Sequence, residues 1–295
     1  MGGTKILTAI ADSEGKILAS VKIDTEARLG PEKVIANIIR SISLAAKQAK
    51  IPMSRVSRIG IGVPGPVLGQ AIIVSPPNLP GWKNINIKAI LHKKLNKKIF
   101  IENDANAAAY GEFRFGAGKG FRNLVYMTVS TGIGGGIIID GKIYTGALGT
   151  AGEIGHMIID PKGPKCGCGN HGCLEALAAG PAIARMAGTK NALDAELAAR
   201  NGNIKALKSI KMAARSIGIG IANLNNILNP DIFVIGGGVS NMGDLLLSPV
   251  KVTAKECSME ASGKSLIIVP AKLKNNAGVM GAIAVCMDAR HGGDE

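Results

Sequence analysis

Aromatic residues are scarce in this chain: Trp, Tyr and Phe together make up 3% of its 295 residues. Its core must therefore be built from Ile, Leu, Val, Ala and Met. No run of 18 apolar residues occurs, which excludes an apolar helix long enough to span a bilayer. Met1 to Lys5 lack the basic and then apolar pattern of a secretory signal, so a cytoplasmic, reducing compartment is expected. In such a compartment the five cysteines are not expected to form a disulfide framework. Acidic residues are also few, 21 against 35 basic ones, for a net charge of +14. Net charge bears on solubility and steering more than on function.

Glycine, by contrast, is abundant. The chain has 40, yet they follow no three-residue period and only 13 prolines accompany them, so the pattern is not collagen-like. With 46% hydrophobic residues and a mean hydropathy of +0.23, the chain is globular rather than disordered. Strands are expected at Lys5–Ala11, Lys16–Ile23, Arg58–Val63, Ile99–Glu102, Asn123–Ser130, Gly136–Asp140, Asp231–Ile235 and Leu266–Val269. Helices are expected from Pro31 to about Ala49, at 85–96, Asn103–Phe113, Asn203–Leu228 and Ala277–Met287. Strands alternating with helices predict an α/β protein with mixed sheets. The two halves share a plan, each opening with strands around a glycine turn, with a boundary near Gly116–Gly120. Two such lobes with facing turns would form a cleft.

Three glycine stretches adjoin strands: Gly2-Gly3-Thr4, Thr131 to Gly136, and Gly236-Gly237-Gly238. Glycine lets backbone N–H groups approach phosphate oxygens, and Thr hydroxyls add donors. Each stretch alone reads as a turn, while three in one α/β chain point toward a nucleotide. None matches the P-loop or the dinucleotide fingerprint.

Cys166, Cys168 and Cys173, with His156 ten residues upstream of the first, make a tetrahedral zinc set. All four positions would be protein atoms, so the metal would be structural. His171 competes as the fourth ligand. Cys257 and Cys286 stand apart and read as core residues. Glu102-Asn103-Asp104 joins a strand to a helix; on its own it reads as a cap, although a carboxylate there also suits a general base. Glu153, His156 and Glu175 offer polar groups for a polyhydroxylated ligand, and a zinc on one nitrogen of His156 would fix the other outward. Lys83–Lys98 holds six lysines and no acid; it reads as a solvated helix face ahead of a polyanion site such as polyphosphate.

Together these residues resemble the ROK family (repressor, open reading frame, kinase), and most closely its glucokinases. The resemblance runs from Gly2 to about Ala289. It is most specific over Glu153–His156 and Cys166-Gly-Cys168-Gly-Asn-His-Gly-Cys173-Leu-Glu175, with Gly60–Pro66, Asn78–Trp82, Glu102–Asn106 and Ser130–Gly136 also matching. It implies two actin-like, ribonuclease H-like lobes around a central cleft, closing on Mg-ATP and a hexose. The first lobe would be residues 1–117 with the helix 277–290 packed back on it, and the second residues 118–276.

The implied reaction is phosphorylation of the glucose 6-hydroxyl by ATP, with Asp104 as base. Gly65, Asn78, Asn103, Glu153, His156 and Glu175 would hold the sugar. Gly2, Gly3, Thr4, Lys5, Thr131, Gly132, Gly134 and Gly135 would hold phosphates, and Gly236, Gly237 and Gly238 would flank the adenosine. Zinc would sit on His156, Cys166, Cys168 and Cys173. A homodimer or tetramer is implied, and a nucleic-acid partner is not. N-acetylmannosamine, N-acetylglucosamine or fructose stay open as substrates. A sugar-sensing repressor or a non-catalytic sugar binder stays open as another class. In one respect the chain departs from the family. The family pattern is a strand ending in Asp-x-Gly-Gly-Thr, and here Met1 stands at x. The strand and its Asp are missing. The expectation is a start one strand further upstream, with unpaired backbone in the sheet that lacks it.

Overall fold

The computed structural model describes residues 1–74 and 78–288. The chain divides into two compact units. One comprises Met1–Gly116, Lys142–Ala151 and the segment from Asn275 on; the other comprises Ala117–Gly141 and Gly152–Lys274.

In the first unit β1 (Lys5–Ala11) and β2 (Ile17–Asp24) form an antiparallel hairpin. Helix α1 (Gly30–Gln48) starts at Pro31 and buries Val34, Ile35, Ile38, Ile42, Ala45 and Ala46, one apolar stripe at helical spacing. Strand β3 (Arg58–Val63) is followed by three short strands, β4 (Val67–Leu68), β5 (Ile72–Ile73) and β6 (Ile85–Asn86), which pair antiparallel in that order. Asn86 caps α2 (Ile87–Leu95) by accepting the Ala89 N–H at 2.9 Å. Lys83, Lys93, Lys94 and Lys98 are exposed around the buried Ile87 and Leu91, the solvated face that the sequence suggests. Strand β7 (Lys98–Asn103) lies parallel to β3, in register from Arg58↔Lys98 to Val63↔Asn103, and leads into α3 (Asp104–Phe115).

The second unit holds β8 (Leu124–Val129) and β9 (Ile133–Ile139); the short β10 (Lys142–Ile143) that follows belongs to the first. The helices α4 (Leu174–Ala178), α5 (Gly180–Ala187), α6 (Ala192–Arg200) and α7 (Ile204–Leu228) come next. Strand β11 (Ile232–Gly236), α8 (Asp244–Cys257), α9 (Glu260–Lys264) and β12 (Ile268–Pro270) complete it. Its sheet runs β9-β8-β11-β12, antiparallel at β9–β8 and parallel elsewhere, so it is mixed as expected. The core is aliphatic, with α7 contributing Ile210, Ala213, Ala214, Ile217 and Ile221. Asn203 caps α7, and Asn229 ends it in the left-handed conformation, φ 42°.

The final helix, α10 (Ala277–Met287), packs on α3 and β3 in the first unit. Backbones approach so closely there that a Cβ on Gly60 would run into the Ala282 carbonyl. Gly60→Ala is expected to destabilise the protein by about 1–3 kcal/mol, the cost of overpacking a tight contact. A urea midpoint within error of the parent would refute this. The part of the sequence-expected 277–290 helix beyond residue 288 lies outside the described residues.

One expectation is met by an opening in the first unit. Among the described residues β1 pairs only with β2, and β3 only with β7. Between the facing edges lies a cavity of about 940 Å³, lined by β1, by β3, by Ile38 and Ile42 of α1 and by Val279 and Ile283 of α10.

The Thr131–Gly136 stretch is shorter as a turn than the sequence suggests. Gly134, Gly135 and Gly136 are strand residues, opposite Thr128, Met127 and Tyr126. Gly135 is small because a Cβ there would strike Ile154 and come within 2.9 Å of the Gly152 carbonyl. Only Ser130, Thr131 and Gly132 turn the chain.

Candidate functional site

The junction of β7 and α3 presents the first group of candidate residues. Asn103 caps α3: its side-chain oxygen accepts the N–H of Ala105 at 2.9 Å and of Asn106 at 3.1 Å. Its amide donates to the Gly65 carbonyl at 3.1 Å, tying the Pro64-Gly65-Pro66 turn to the helix start. Asp104 is exposed at the first helical position, where the helix dipole favours a carboxylate. Behind it is Glu102, buried, which accepts the Asn103 N–H at 2.9 Å.

The glycine turn at the chain's start reaches the same place. Met1, Gly2 and Asp104 line one cavity, and the Met1 amine donates to the Gly62 carbonyl. Burial pulls that amine below its ordinary pKa, and attraction to Asp104 opposes the shift. Gly2 N–H bonds the Lys5 carbonyl at 2.9 Å, and the Gly2 carbonyl accepts from Thr25 Oγ at 2.7 Å. Gly3 lies on the Asn78 backbone, where a Cβ would be 2.7 Å from the carbonyl oxygen. The first unit thus gathers Gly2, Gly3, Gly65, Asn78, Asn103 and Asp104. Lys5 lines the same cavity and pairs with Asp24 across the hairpin.

In the second unit, His156, Cys166, Cys168 and Cys173 offer four ligand atoms within 4.8 Å of one another. Three sulfurs and one imidazole nitrogen at that spacing fit a tetrahedral zinc ion. His171, the competing ligand, lies outside this group and bridges Lys165 instead. His156 turns Nδ1 toward Cys166 Sγ, 3.7 Å away, which leaves Nε2 on the other side of the ring. Backbone hydrogen bonding from Asn170 lowers the Cys168 thiol pKa, whereas burial pushes Cys173 up to about 12. Gly172 has φ 67°, and a Cβ there would overlap the Asp160 carbonyl, so the knuckle requires glycine at this point.

Glu175 follows the knuckle on α4 and accepts the Ile133 N–H at 2.9 Å. It braces the Thr131-Gly132 turn, a role the sequence reading missed because the two segments are 42 residues apart. Glu153 is exposed just before His156. Gly237, φ 87°, sits at the end of β11 so close to Val129 that no side chain fits, and Gly238 is exposed beside it.

The ROK family model matches residues 1–289. The glucokinase of Thermotoga maritima is 35% identical, with 97% of this chain and 95% of that protein covered. The crystal structure of a ROK family glucokinase from Streptomyces griseus in complex with glucose and AMPPNP superposes with a TM-score of 0.82 at 33% identity, covering 97% of each chain. The xylose repressor of Bacillus subtilis is 36% identical over 81% of this chain and 64% of its own. In sequence and in fold, this chain belongs to the ROK family.

Proposed function

We propose that the protein is an ATP-dependent hexose kinase that phosphorylates the 6-hydroxyl of glucose. The observation carrying this reading is the β7–α3 junction, where a capped helix start holds Asn103 against Gly65 and exposes Asp104 beside the Gly2-Gly3 turn. The relative bound to glucose and AMPPNP supports it.

On this reading Asp104 accepts the proton of the attacking hydroxyl. In a loose phosphoryl-transfer transition state that proton leaves late, so an ordinary carboxylate suffices. Asn103, Asn78 and the Gly65 backbone are the groups that orient the sugar, with Glu153, His156 and Glu175 as the further candidates for its hydroxyls. The N–H groups of Gly3, Thr131 and Gly132 serve phosphate oxygens beside the Gly2 turn, and Gly236–Gly238 flank the nucleoside. The donor is the magnesium nucleotide. Glucose-dependent ADP formation in a coupled assay, run beside N-acetylmannosamine, N-acetylglucosamine, mannose and fructose, tests the reading; no turnover with any hexose refutes it. The likeness to a xylose repressor favours a second reading, sugar binding without turnover, which calorimetry with glucose would separate.

His156, Cys166, Cys168 and Cys173 would hold a structural zinc, which supplies rigidity to the segment carrying His156. Elemental analysis is expected to find about one zinc per chain. Removing it should lower the melting temperature by about 5 °C or more, since metal binding contributes directly to folding. Metal-free protein with an unchanged melting temperature would reject the assignment.

A further inference from the structure

We propose that Glu102 and Asn106 form a positioning pair that sets the turn presenting Asn103 and Asp104. The proposal rests on the hexose-kinase reading above. Glu102 stands at the end of β7 and is 5% exposed; Asn106 stands in the first turn of α3 and is 1% exposed. Glu102 Oε1 accepts two hydrogen bonds, from the Asn103 N–H at 2.9 Å and from Asn106 Nδ2 at 3.1 Å. One carboxylate oxygen therefore grips the residue before Asp104 and the residue two beyond it.

Folding alone does not call for this acid. Asn103 already caps α3. Burying a carboxyl is costly, and apolar side chains in place of both Glu102 and Asn106 would fill the space at less expense in free energy. What the acid adds is direction. A bond to an anion is stronger than a neutral one, so the Asn103 N–H is held at a fixed point. The side chain of Asn103 is in turn fixed on Gly65. Asp104, between these anchored residues, inherits their orientation.

The pair also has a spare acceptor. Asn106 Oδ1 is buried without a hydrogen-bond partner among the described residues. Turning the amide over would bring Oδ1 to Glu102, where it could accept a proton-bearing carboxyl. The charged acid is thus served by Nδ2 and the neutral acid by Oδ1. Burial raises the Glu102 pKa above the usual carboxylate range, with the bonds from Asn106 and Asn103 opposing. Glu102 shares a cavity of about 170 Å³ with Gln70, Phe100, Thr145, Val285 and Lys142, and Lys142 is the other charged group there. A carboxyl raised in the fold binds its proton more tightly folded than unfolded. Its contribution to stability is therefore present below the unfolded pKa and is lost as pH rises through the folded one.

Glu102→Ala is expected to lower kcat at least tenfold with a smaller rise in hexose KM, because Asn78 and the Gly65 backbone still bind while Asn103 and the base lose their aim. Glu102→Gln, which keeps the acceptor and cannot ionise, should recover part of that loss and remove the acid limb of the kcat–pH profile attributable to Glu102. Amide hydrogen exchange gives a readout apart from catalysis: Glu102→Ala should speed exchange at Asn103 to Asn106 at least tenfold and leave β3 unchanged. If the parent turns over hexose and Glu102→Ala keeps its kcat, the pair is not a positioning device. If the parent turns over no hexose, the kinase reading fails, and exchange alone decides the pair. Unchanged exchange overturns it. Should Glu102→Ala fail to fold, Glu102→Gln with an unaltered pH profile and kcat overturns it equally.

Discussion

Asp104→Asn should reduce hexose-dependent ADP formation by about 10²–10⁴-fold, the range a positioned general base contributes. Glucose affinity by calorimetry should stay within about threefold, since the amide still accepts or donates a hydrogen bond to a sugar hydroxyl. The substitution separates the two properties because the residue is exposed and Asn103, not Asp104, caps the helix. Folding loses a favourable charge at a helix start, about 0.3–1 kcal/mol, together with its attraction to the Met1 amine. The melting temperature should accordingly move by a few degrees at most. Retained turnover would remove Asp104 from the role of base. Loss of binding together with turnover would make it a sugar ligand first.

Much of this site could be read in the sequence because its parts are local. The cluster of one histidine and three cysteines is compact in the chain, with the cysteines inside eight residues and His156 ten upstream, and the structure brings all four together. The Asn103 cap and the long α7 with its Asn203 and Asn229 ends follow from short-range rules of side chain to backbone bonding. What escaped depends on distance in sequence. Glu175 on Ile133, and Glu102 gripping both Asn103 and Asn106, require a fold before they can be seen. The run Gly134–Gly136 misled in the opposite direction. Its glycines look like a phosphate turn, yet they are strand residues, and Gly135 is kept small by Ile154 and Gly152. Helices α5, α6 and α8 were not anticipated either, and α8 carries Pro249 in its interior, a residue that argues against a helix when read alone.

The opening between β1 and β3 yields the last expected result. An extended segment ahead of Met1, apolar and placing Asp directly before it, should raise kinase activity at least tenfold and the melting temperature by about 5 °C or more. The opening between β1 and β3 is bounded by two strand edges whose outward backbone groups have no strand to pair with among the described residues. Strands β1 and β3 are seven and six residues long, so a filler of about six residues spans some 20 Å at roughly 3.3 Å per residue. Ile38 and Ile42 wall one side and Val279 and Ile283 another, so both faces of a filler would be dry. The direction follows from the chain's first contacts. The Met1 amine bonds the Gly62 carbonyl at the end of β3, while Gly2 turns back through Lys5 into β1. A segment arriving at Met1 would run antiparallel to β1 and alongside β3, and its last side chains would emerge beside Asp104, which lines the same cavity. A carboxylate there could organise the magnesium nucleotide close to the proposed base. Two extended forms distinguish structure from chemistry: one ending in Asp before Met1, the other in Asn. Both should gain stability, and only the first should gain full activity. Equal activity of the short and both extended forms would sink the idea, and equal melting temperatures would show that the opening does not accept a strand.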